Sequence, residues 1–265
     1  MFRVLSSGGC LVTVEERTPD AVLKAVEDYK VQLLPTSPTF LNLILVSEAY
    51  LRHDLSSLKT ISYGTEPMPE NTLKRLHELF PRIQLVQTYG LSELGILRSK
   101  SRSSDSVWVK VGGPGFETRI VNGLLEVKAE SAMLGYINAA PPFTNDGWFA
   151  TDDAVEMDGE FIKILGRQSE IINIAGQKVF PAEVENVICE LDNVAEVLIY
   201  PEKNALLGQI VCAKVRLKNV EEHKKFISRL KDHCRTKLAA FKIPMRVTIG
   251  LAPLHSSRFK KRRQS

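Results

Sequence analysis

The sequence predicts a mixed α/β protein built from three successive parts. Helical and strand patterns alternate up to about residue 100, which is typical of a parallel-type α/β sheet. Short apolar runs, separated by turn pairs such as Asn122-Gly123, then fill residues 101–167 and indicate a small antiparallel β unit. The pattern changes again afterwards and predicts a small α+β domain. We therefore divide the chain into domains at residues 1–167 and 168–265.

The first part alternates helix and strand in order. Thr18 is suited to cap a helix that begins at Pro19, and Pro81 ends the last helix of this part. The predicted elements are a strand over residues 11–14, a helix from residue 19, a strand over 31–34, a helix over 40–50, a strand over 58–63, a helix over 71–80 and a strand over 83–87. Such alternation favours parallel pairing of the strands.

The later parts show shorter elements. In the β unit, strands are predicted over residues 107–111, 118–121, 124–128, 154–157 and 161–164. In the last domain, helices are predicted over residues 181–191 and 221–238, and strands over 194–199, 209–217 and 246–249. A hairpin is expected around Gly176, ahead of Pro181, which opens the first of these helices.

The composition excludes several classes of protein. Lys plus Arg is 35 and Asp plus Glu is 31, so the formal charge of +4 over 265 residues is too weak to argue for a nucleic-acid partner. Apolar and charged fractions of 44% and 25% exclude disordered and collagen-like chains. No apolar run approaches the ~20 residues of a membrane span. Four scattered cysteines and the lack of a signal-peptide pattern predict reduced thiols and a cytoplasmic location.

Three clusters of residues could carry chemistry. Residues 89–93 (YGLSE) follow a predicted strand end, where open α/β sheets bind ligands, and offer a ring, a hydroxyl and a carboxylate suited to a nucleotide with Mg²⁺. Asp153 could accept hydrogen bonds from a ribose diol. Residues 166–185 combine a Gly-Arg turn, a hairpin and a helix start. For the first two clusters an ordinary polar turn is the alternative interpretation.

In this order the clusters resemble the adenylate-forming superfamily of acyl-CoA synthetases, nonribosomal peptide adenylation domains and luciferases. The family pattern YGxTE matches with Ser92 for Thr, and GWxxTGD matches residues 147–153 with Asp152 for Gly. The pattern GRxxxxIxxxGxxxxPxEIE matches residues 166–185 with Val184 for Ile. Further matches lie at residues 64–67, 135–136, 241–244 and, to the pattern TxxGKxxR, 256–263. The resemblance covers essentially the whole chain.

The resemblance implies a two-step ligase reaction. A small carboxylic acid attacks the α-phosphate of ATP, pyrophosphate leaves, and the acyl-adenylate passes its acyl group to a thiol of CoA or of a carrier-protein pantetheine. It therefore implies ATP and AMP, Mg²⁺ and CoA or pantetheine as ligands. The developing negative charge would be stabilised by a cation and the metal.

The resemblance also implies a role for individual residues. At the nucleotide it implies Gly64, Thr65 and Glu66 in the adenine slot, Tyr89 and Gly90 against the ring, and Asp153 and Arg167 on the ribose. At the phosphates it implies Ser92, Glu93 as the Mg²⁺ ligand, and Lys260. It implies an acyl pocket of Phe40, Tyr63 and Gln87, a hinge at Ser169, and a thiolation pose served by Asn173 and Gly176. The polarity of the pocket predicts an apolar acid, aromatic or acyl.

Two departures from the family pattern shape the expectations. The family's Ser/Thr/Gly-rich phosphate loop, which ends in Pro-Lys, has no match here, since residues 6–9 resemble it only superficially. We therefore expect a C-terminal portion, as a fragment, split gene product or mis-started gene, that needs an N-terminal half in trans. Phe259 replaces the glycine before the lysine, and we expect it to adopt an ordinary backbone that mis-aims Lys260. Lys261 could then substitute, or residues 258–263 could be a solvated basic tail.

Three functions remain open on this sequence. The first is an ATP-dependent acid–thiol ligase, which the motif residues favour. The second is a catalytically dead remnant that acts as a nucleotide- or protein-binding module, which the missing loop favours. The third is a fragment of a peptide synthetase adenylation domain.

Overall fold

Three sheets, each with its own hydrophobic cluster, make up the computed structural model, which describes residues 2–140, 142–256 and 259–261. We number the sheets in chain order. A short helix, α1 (Phe2–Ser6), precedes them. The predicted mixed α/β class is confirmed. The strand expected over residues 11–14 is absent, because no described strand pairs with this segment and an unpaired strand leaves its backbone polar groups unsatisfied.

The first sheet is parallel, as the alternation predicted. Its strands, in the order β1-β2-β3, are Leu33–Thr36, Thr60–Tyr63 and Gln84–Gln87. Helix α2 (Pro19–Asp28) precedes β1, and α3 (Pro38–Ser47) and α4 (Glu70–Leu79) form the two crossovers. The helices bury one hydrophobic cluster against the strands, with Leu23, Leu41 and Leu73 almost fully covered.

The boundaries of these helices follow from local residues. Thr18 caps α2 through its hydroxyl, as the sequence predicted. Ser37 caps α3 in the same way, with its Oγ accepting from the Phe40 N–H at 3.2 Å. The predicted helix over residues 40–50 is interrupted because Glu48 has a φ of +52°, and a turn of 3₁₀ helix, Ala49–Leu51, follows.

Strand β1 is a free edge that contains a proline. The prediction over residues 31–34 was displaced, since the strand covers Leu33–Thr36. The Thr60 N–H donates to the Gln32 carbonyl at 3.0 Å, so alternation along β1 turns the nitrogen of Pro35 away from β2. At that outer position the missing N–H breaks no ladder bond and blunts the edge against other strands.

The second sheet has seven strands in the order β4-β5-β6-β10-β9-β8-β7. Their bounds are Tyr89–Leu91 (β4), Gly95–Ser101 (β5), Val109–Gly112 (β6), Phe116–Val121 (β7), Leu124–Ala129 (β8), Phe149–Asp158 (β9) and Phe161–Arg167 (β10). The antiparallel character matches the prediction, although β4 and β5 were not expected. Their glycines and serines give no alternating apolar pattern.

Serine side chains join the first sheet to the second. The hydroxyls of Ser101 and Ser104 accept hydrogen bonds from the Gln87 and Leu85 N–H groups at 2.9 and 3.3 Å. These donors lie on the edge of β3, where no further strand pairs among the described residues. Side chains thus satisfy an edge that would otherwise expose backbone donors.

The third sheet runs β12-β11-β14-β13, with β15 parallel to β14. Its strands are Ile172–Ile174 (β11), Gln177–Val179 (β12), Val194–Asn204 (β13), Gly208–Leu217 (β14) and Arg246–Gly250 (β15), and its helices are α5 (Pro181–Ile188) and α6 (His223–Lys237). The hairpin expected around Gly176 is confirmed: Gly176 has a φ of +86° in the turn between β11 and β12.

Side-chain contacts join the first sheet with its helices to the third sheet and to the second. Asn42 of α3 donates to the Ala195 carbonyl of β13 at 2.8 Å. Lys163 of β10 and Glu70 of α4 form an ion pair at 2.6 Å between the first and second sheets.

None of the described helices combines the length and apolar sequence that a membrane crossing requires.

Candidate active site

The carboxyl ends of β2 and β3 meet at a crowded turn. A Cβ at Gly64 would lie 2.6 Å from the Thr88 carbonyl oxygen, so a glycine is required there. The Thr88 N–H donates to the Tyr63 carbonyl at 2.7 Å, which holds the two strand ends together. Thr65, next in the chain, is exposed with a φ of +75°. The predicted adenine-slot residues Gly64 and Thr65 therefore form one rigid corner.

Glu66 has a structural partner in this corner. Its carboxylate accepts a hydrogen bond from the Thr39 N–H at 2.9 Å, at the N-terminus of α3. A carboxylate there satisfies a free helix donor and complements the helix dipole. Glu66 thus fixes α3 against the β2 turn, a role that its place in the motif did not reveal.

Tyr89 and Asp153 form a buried pair. The Tyr89 hydroxyl donates to Asp153 Oδ2 at 2.6 Å, and both residues are more than nine-tenths buried. Burial, followed by the neighbouring Asp153 charge, raises the pKa of Tyr89, so it stays a neutral donor. Burial also raises the pKa of the Asp153 carboxyl above its ordinary value, although the Tyr89 hydrogen bond opposes this shift.

The other oxygen of Asp153 faces Arg167. Arg167 Nε lies 3.7 Å from Asp153 Oδ1, and the guanidinium is half exposed. The two residues are directly opposed on β9 and β10, which explains why residues 14 positions apart meet. The structure therefore brings together Tyr89, Asp153 and Arg167, with the Tyr89 ring packed into the core of the second sheet. Sequence reasoning had placed that ring against a base.

Glu93 is oriented by a tyrosine from another motif. Tyr136 donates its hydroxyl to Glu93 Oε1 at 2.8 Å, and this hydrogen bond is the main cause that raises the pKa of Tyr136. Ser92 is exposed in the loop just before it. Residues 135–136 were matched to the family, but Tyr136 was given no role. Its spacing from Glu93 holds no signal, because only the fold brings the two side chains together.

The structure places the predicted acyl-pocket residues on one face of the first sheet. Tyr63 and Gln87 are register partners on β2 and β3, so their side chains share a face, and both are buried. The Tyr63 hydroxyl and Gln87 Oε1 have no hydrogen-bond partner among the described residues. Phe40 of α3 is buried in the cluster that contains Tyr63. Unpartnered buried polar atoms of this kind are suited to a polar ligand group.

Lys260 lies in a loop that returns to α3. The preceding Phe259 has a φ of +53°, so the expectation that it adopts an ordinary backbone was wrong. Its ring packs on Phe40 and thereby holds the conformation that the family's glycine would adopt freely. Lys260 is exposed, whereas Lys261 Nζ lies 2.5 Å from the almost fully buried Glu185. Four residues of the predicted TxxGKxxR match lie outside the described residues, namely Ser257, Arg258, Arg262 and Arg263.

The predicted hinge and thiolation residues lie on exposed turns. Ser169 donates its Oγ and N–H to Asp152 Oδ2 at 2.5 and 3.2 Å. Asn173 Oδ1 accepts from the Gly176 N–H at 3.0 Å and fixes the β11–β12 turn. These hairpin residues belong to the third sheet, whereas the nucleotide residues belong to the first two.

The donor set is compatible with a magnesium nucleotide. Mg²⁺ prefers oxygen ligands and usually keeps waters or substrate phosphates in its shell. Glu93 offers such an oxygen, and no cluster of three or more metal-ligating side chains occurs among the described residues. A metal at Glu93 would therefore depend on phosphate oxygens for further ligands.

Comparison with known proteins gives consistent matches. The family model for AMP-binding enzymes matches residues 1–137, and the model for the AMP-binding enzyme C-terminal domain matches residues 183–256. Acyl-CoA synthetase 7 of Caenorhabditis elegans is 30% identical over 91% of this chain and 48% of its own length. The 4-coumarate–CoA ligase-like 9 of Arabidopsis thaliana is 28% identical over 80% of this chain and 42% of its own. The chain spans about half the length of the curated relatives it matches.

A solved structure shows the same fold. The anthranilate CoA ligase AuaEII, in complex with anthranoyl-AMP, superposes with a TM-score of 0.84 at 21% identity. The match covers 96% of this chain and 52% of that one.

Proposed function

Because the chain belongs to the family of AMP-binding enzymes, we propose that it takes part in the ATP-dependent activation of a carboxylic acid as an acyl-adenylate. The acyl group then passes to a thiol of CoA or pantetheine. The observation that carries this proposal is the buried Asp153 carboxylate, held by Tyr89 on one oxygen and beside Arg167 on the other. The chain links this pair to the corner formed by Gly64, since Tyr89 directly follows the Thr88 that crowds this glycine.

In this proposal Asp153 and Arg167 hold the ribose. A carboxylate oxygen accepts hydrogen bonds from hydroxyl groups, and the guanidinium donates them. Tyr89 keeps Asp153 oriented through its 2.6 Å hydrogen bond. Adenine binds at the Gly64 corner, on the side where Thr65 is exposed.

The phosphates bind between the YGLSE loop and Lys260. Ser92 offers a hydroxyl, and Glu93, oriented by Tyr136, is the carboxylate for Mg²⁺. When bound, this metal would neutralise phosphate charge and favour departure of pyrophosphate. Lys260 is the cation of the loop for this task, because Lys261 is already paired with buried Glu185. A positioned cation stabilises the charge that develops on the transferring phosphate.

The acid binds against Phe40, Tyr63 and Gln87. Phe40 gives an apolar wall, which suits an aromatic or acyl group. The Tyr63 hydroxyl and Gln87 amide would order a polar atom of the substrate. Turnover requires the part that corresponds to the other half of the relatives, in the same chain or in trans. Residues 168–265 then move about Ser169 to bring the Gly176 hairpin to the site for thiol transfer.

Pyrophosphate release tests the proposal. The chain is mixed with Mg-ATP and a pool of aliphatic, aromatic and amino acids, alone and with the N-terminal half of a matching ligase. We expect release that depends on an added acid and falls at least about a hundredfold in Lys260→Ala, the scale typical of a lost transition-state cation. Lys218→Ala, which removes an exposed lysine directly after β14, is the matched control.

Three results would contradict it. Pyrophosphate release that is equal in wild type and Lys260→Ala would remove the role of this lysine. AMP binding without release under any combination would favour a nucleotide-binding module. Release that depends on amino acids alone would favour the adenylation domain of a peptide synthetase.

A further inference from the structure

Residues of the loop that carries Lys260 contact three other elements, namely β13, α5 and α3. His255 Nδ1 lies 2.5 Å from Oε1 of the buried Glu196 on β13. Lys261 Nζ lies 2.5 Å from Glu185 on α5. Between these two contacts, Phe259 packs on α3 of the first sheet. The described residues of this loop, 255–256 and 259–261, therefore connect the last part of the chain to the first.

Phe259 makes the contact with α3 in two ways. Its ring meets the Phe40 ring edge to face, with centroids 4.8 Å apart and planes at 63°. Its carbonyl accepts a hydrogen bond from Ser37 Oγ at 3.0 Å, and Ser37 is the residue that caps α3. The His255 ring stacks on the Phe259 ring, with the centroids 5.3 Å apart. Edge-to-face ring pairs stabilise a contact beyond the area they bury.

The backbone conformation of Phe259 indicates that the contact with α3 holds the loop in place. At a φ of +53° a side chain with a Cβ is strained, and such strain persists only where surrounding contacts hold it. A left-handed residue at this position turns the chain back, so that the Ser256 N–H donates to the Lys260 carbonyl at 2.8 Å. The tight turn and the docked ring thus depend on each other.

We propose that Phe259 is a positioning residue: it anchors the loop of residues 255–261 on the N-terminus of α3 and so sets where the Lys260 amine lies. This rests on the proposed function, in which Lys260 acts on the phosphates. Glycine would give the same turn without an anchor. Phe259 instead fixes the loop by its contact with Phe40, which is also a residue of the proposed acyl pocket.

Hydrogen exchange of the full chain, read by mass spectrometry, tests the anchor. The Ser256 amide reports the turn, because its hydrogen bond to Lys260 closes it. We expect Phe259→Gly to exchange about tenfold faster there, since the ring contact is lost while the backbone conformation remains accessible. Phe259→Tyr keeps the ring and should retain the protection of wild type.

Phe80→Leu is the matched control. It removes an edge-to-face pair with Tyr50 from the same hydrophobic cluster without touching the loop. Its Ser256 exchange should stay within about twofold of wild type. Equal exchange in Phe259→Gly and wild type would overturn the anchor.

A second measurement distinguishes a role of Phe259 in positioning Lys260 from a purely structural role. With the N-terminal half supplied, Phe259→Gly should lower the kcat of pyrophosphate release about tenfold with little change in the KM for ATP, and Phe259→Tyr should restore it. Unchanged kcat despite faster exchange would overturn the positioning role. If wild type released no pyrophosphate, the proposed function would fail, while the exchange measurement would still decide the anchor.

Discussion

Asp152 and Phe259 both hold a backbone conformation that favours glycine, with φ values of +66° and +53°. Both stand where the family pattern has glycine. Each costs about 1–2 kcal/mol in backbone strain, and each side chain makes a contact that a glycine could not. Asp152 accepts two hydrogen bonds from Ser169, and Phe259 packs on Phe40. At both positions a side-chain contact stabilises a turn that glycine would form without one.

Asp153 gives a pH-dependent prediction at this scale. Burial raises its pKa in the folded chain above the ordinary value of 3.8, so the folded state binds more protons than the unfolded state between these two values. The Asp153 carboxyl therefore makes its full contribution to the free energy of unfolding below about pH 3.8, and this contribution is lost as the pH rises through the raised pKa. Urea unfolding across pH 3–7 should show wild type losing stability relative to Asp153→Asn as the pH rises.

The control for this measurement is Asp192→Asn, which changes an exposed carboxyl. A constant difference between wild type and Asp153→Asn across the pH range would contradict the assigned effect of burial.

At the scale of elements, the β4–β5 hairpin links the two sheets that build the site. Its first strand carries Tyr89, and serines at the end of its second strand and just after it satisfy the edge of β3. The hairpin closes tightly at Gly90, where a Cβ would lie 2.8 Å from the Gly95 carbonyl oxygen. This close approach, rather than a positive φ, is what requires glycine there.

Gly90→Ala should therefore destabilise the chain by about 1–3 kcal/mol, because the added methyl group must displace backbone atoms. Gly250→Ala is a matched control, since no atom lies within 4 Å of its Cβ position and its φ is not positive. It should change stability by less than about 0.5 kcal/mol. Chemical denaturation measures both, and equal effects would contradict the crowding argument.

At the scale of the whole molecule, side-chain contacts among the described residues join the last part of the chain to the first. They run through α3, which contacts β13 by Asn42 and the loop of residues 255–261 by Ser37 and Phe40. The buried Glu185 receives Lys261 from that loop.

Lys261→Ala should destabilise the folded chain by about 3 kcal/mol, because it leaves the Glu185 carboxylate buried with less compensation. The exposed pair of Lys110 and Glu160 gives the comparison, and Lys110→Ala should cost less than about 1 kcal/mol. Thermal and urea unfolding measure both variants. A Lys261→Ala effect as small as the control would show that the loop pair adds no stability.

The sequence by itself determined the α/β class, the motif residues and most of the order of the elements, except for the strand expected over residues 11–14 and the strands β4 and β5. These are local properties: apolar spacing sets helices and strands, Thr18 caps and Pro19 begins a helix, and glycines mark turns. Its errors were also local, since Glu48 interrupted a helix and the hairpin at Gly90 gave no alternating pattern.

Only the tertiary structure decided how those residues are used. The Tyr89 hydroxyl forms a hydrogen bond with Asp153, which lies 64 positions later in the sequence, and the Ser37 hydroxyl forms one with Phe259, which lies 222 positions later. The packing of sheets and helices alone brings such residues together, because no periodicity along the chain encodes a contact at that separation. The same packing engages Lys261 with a buried carboxylate and leaves Lys260 exposed, a distinction between neighbours that adjacent positions in a sequence cannot show.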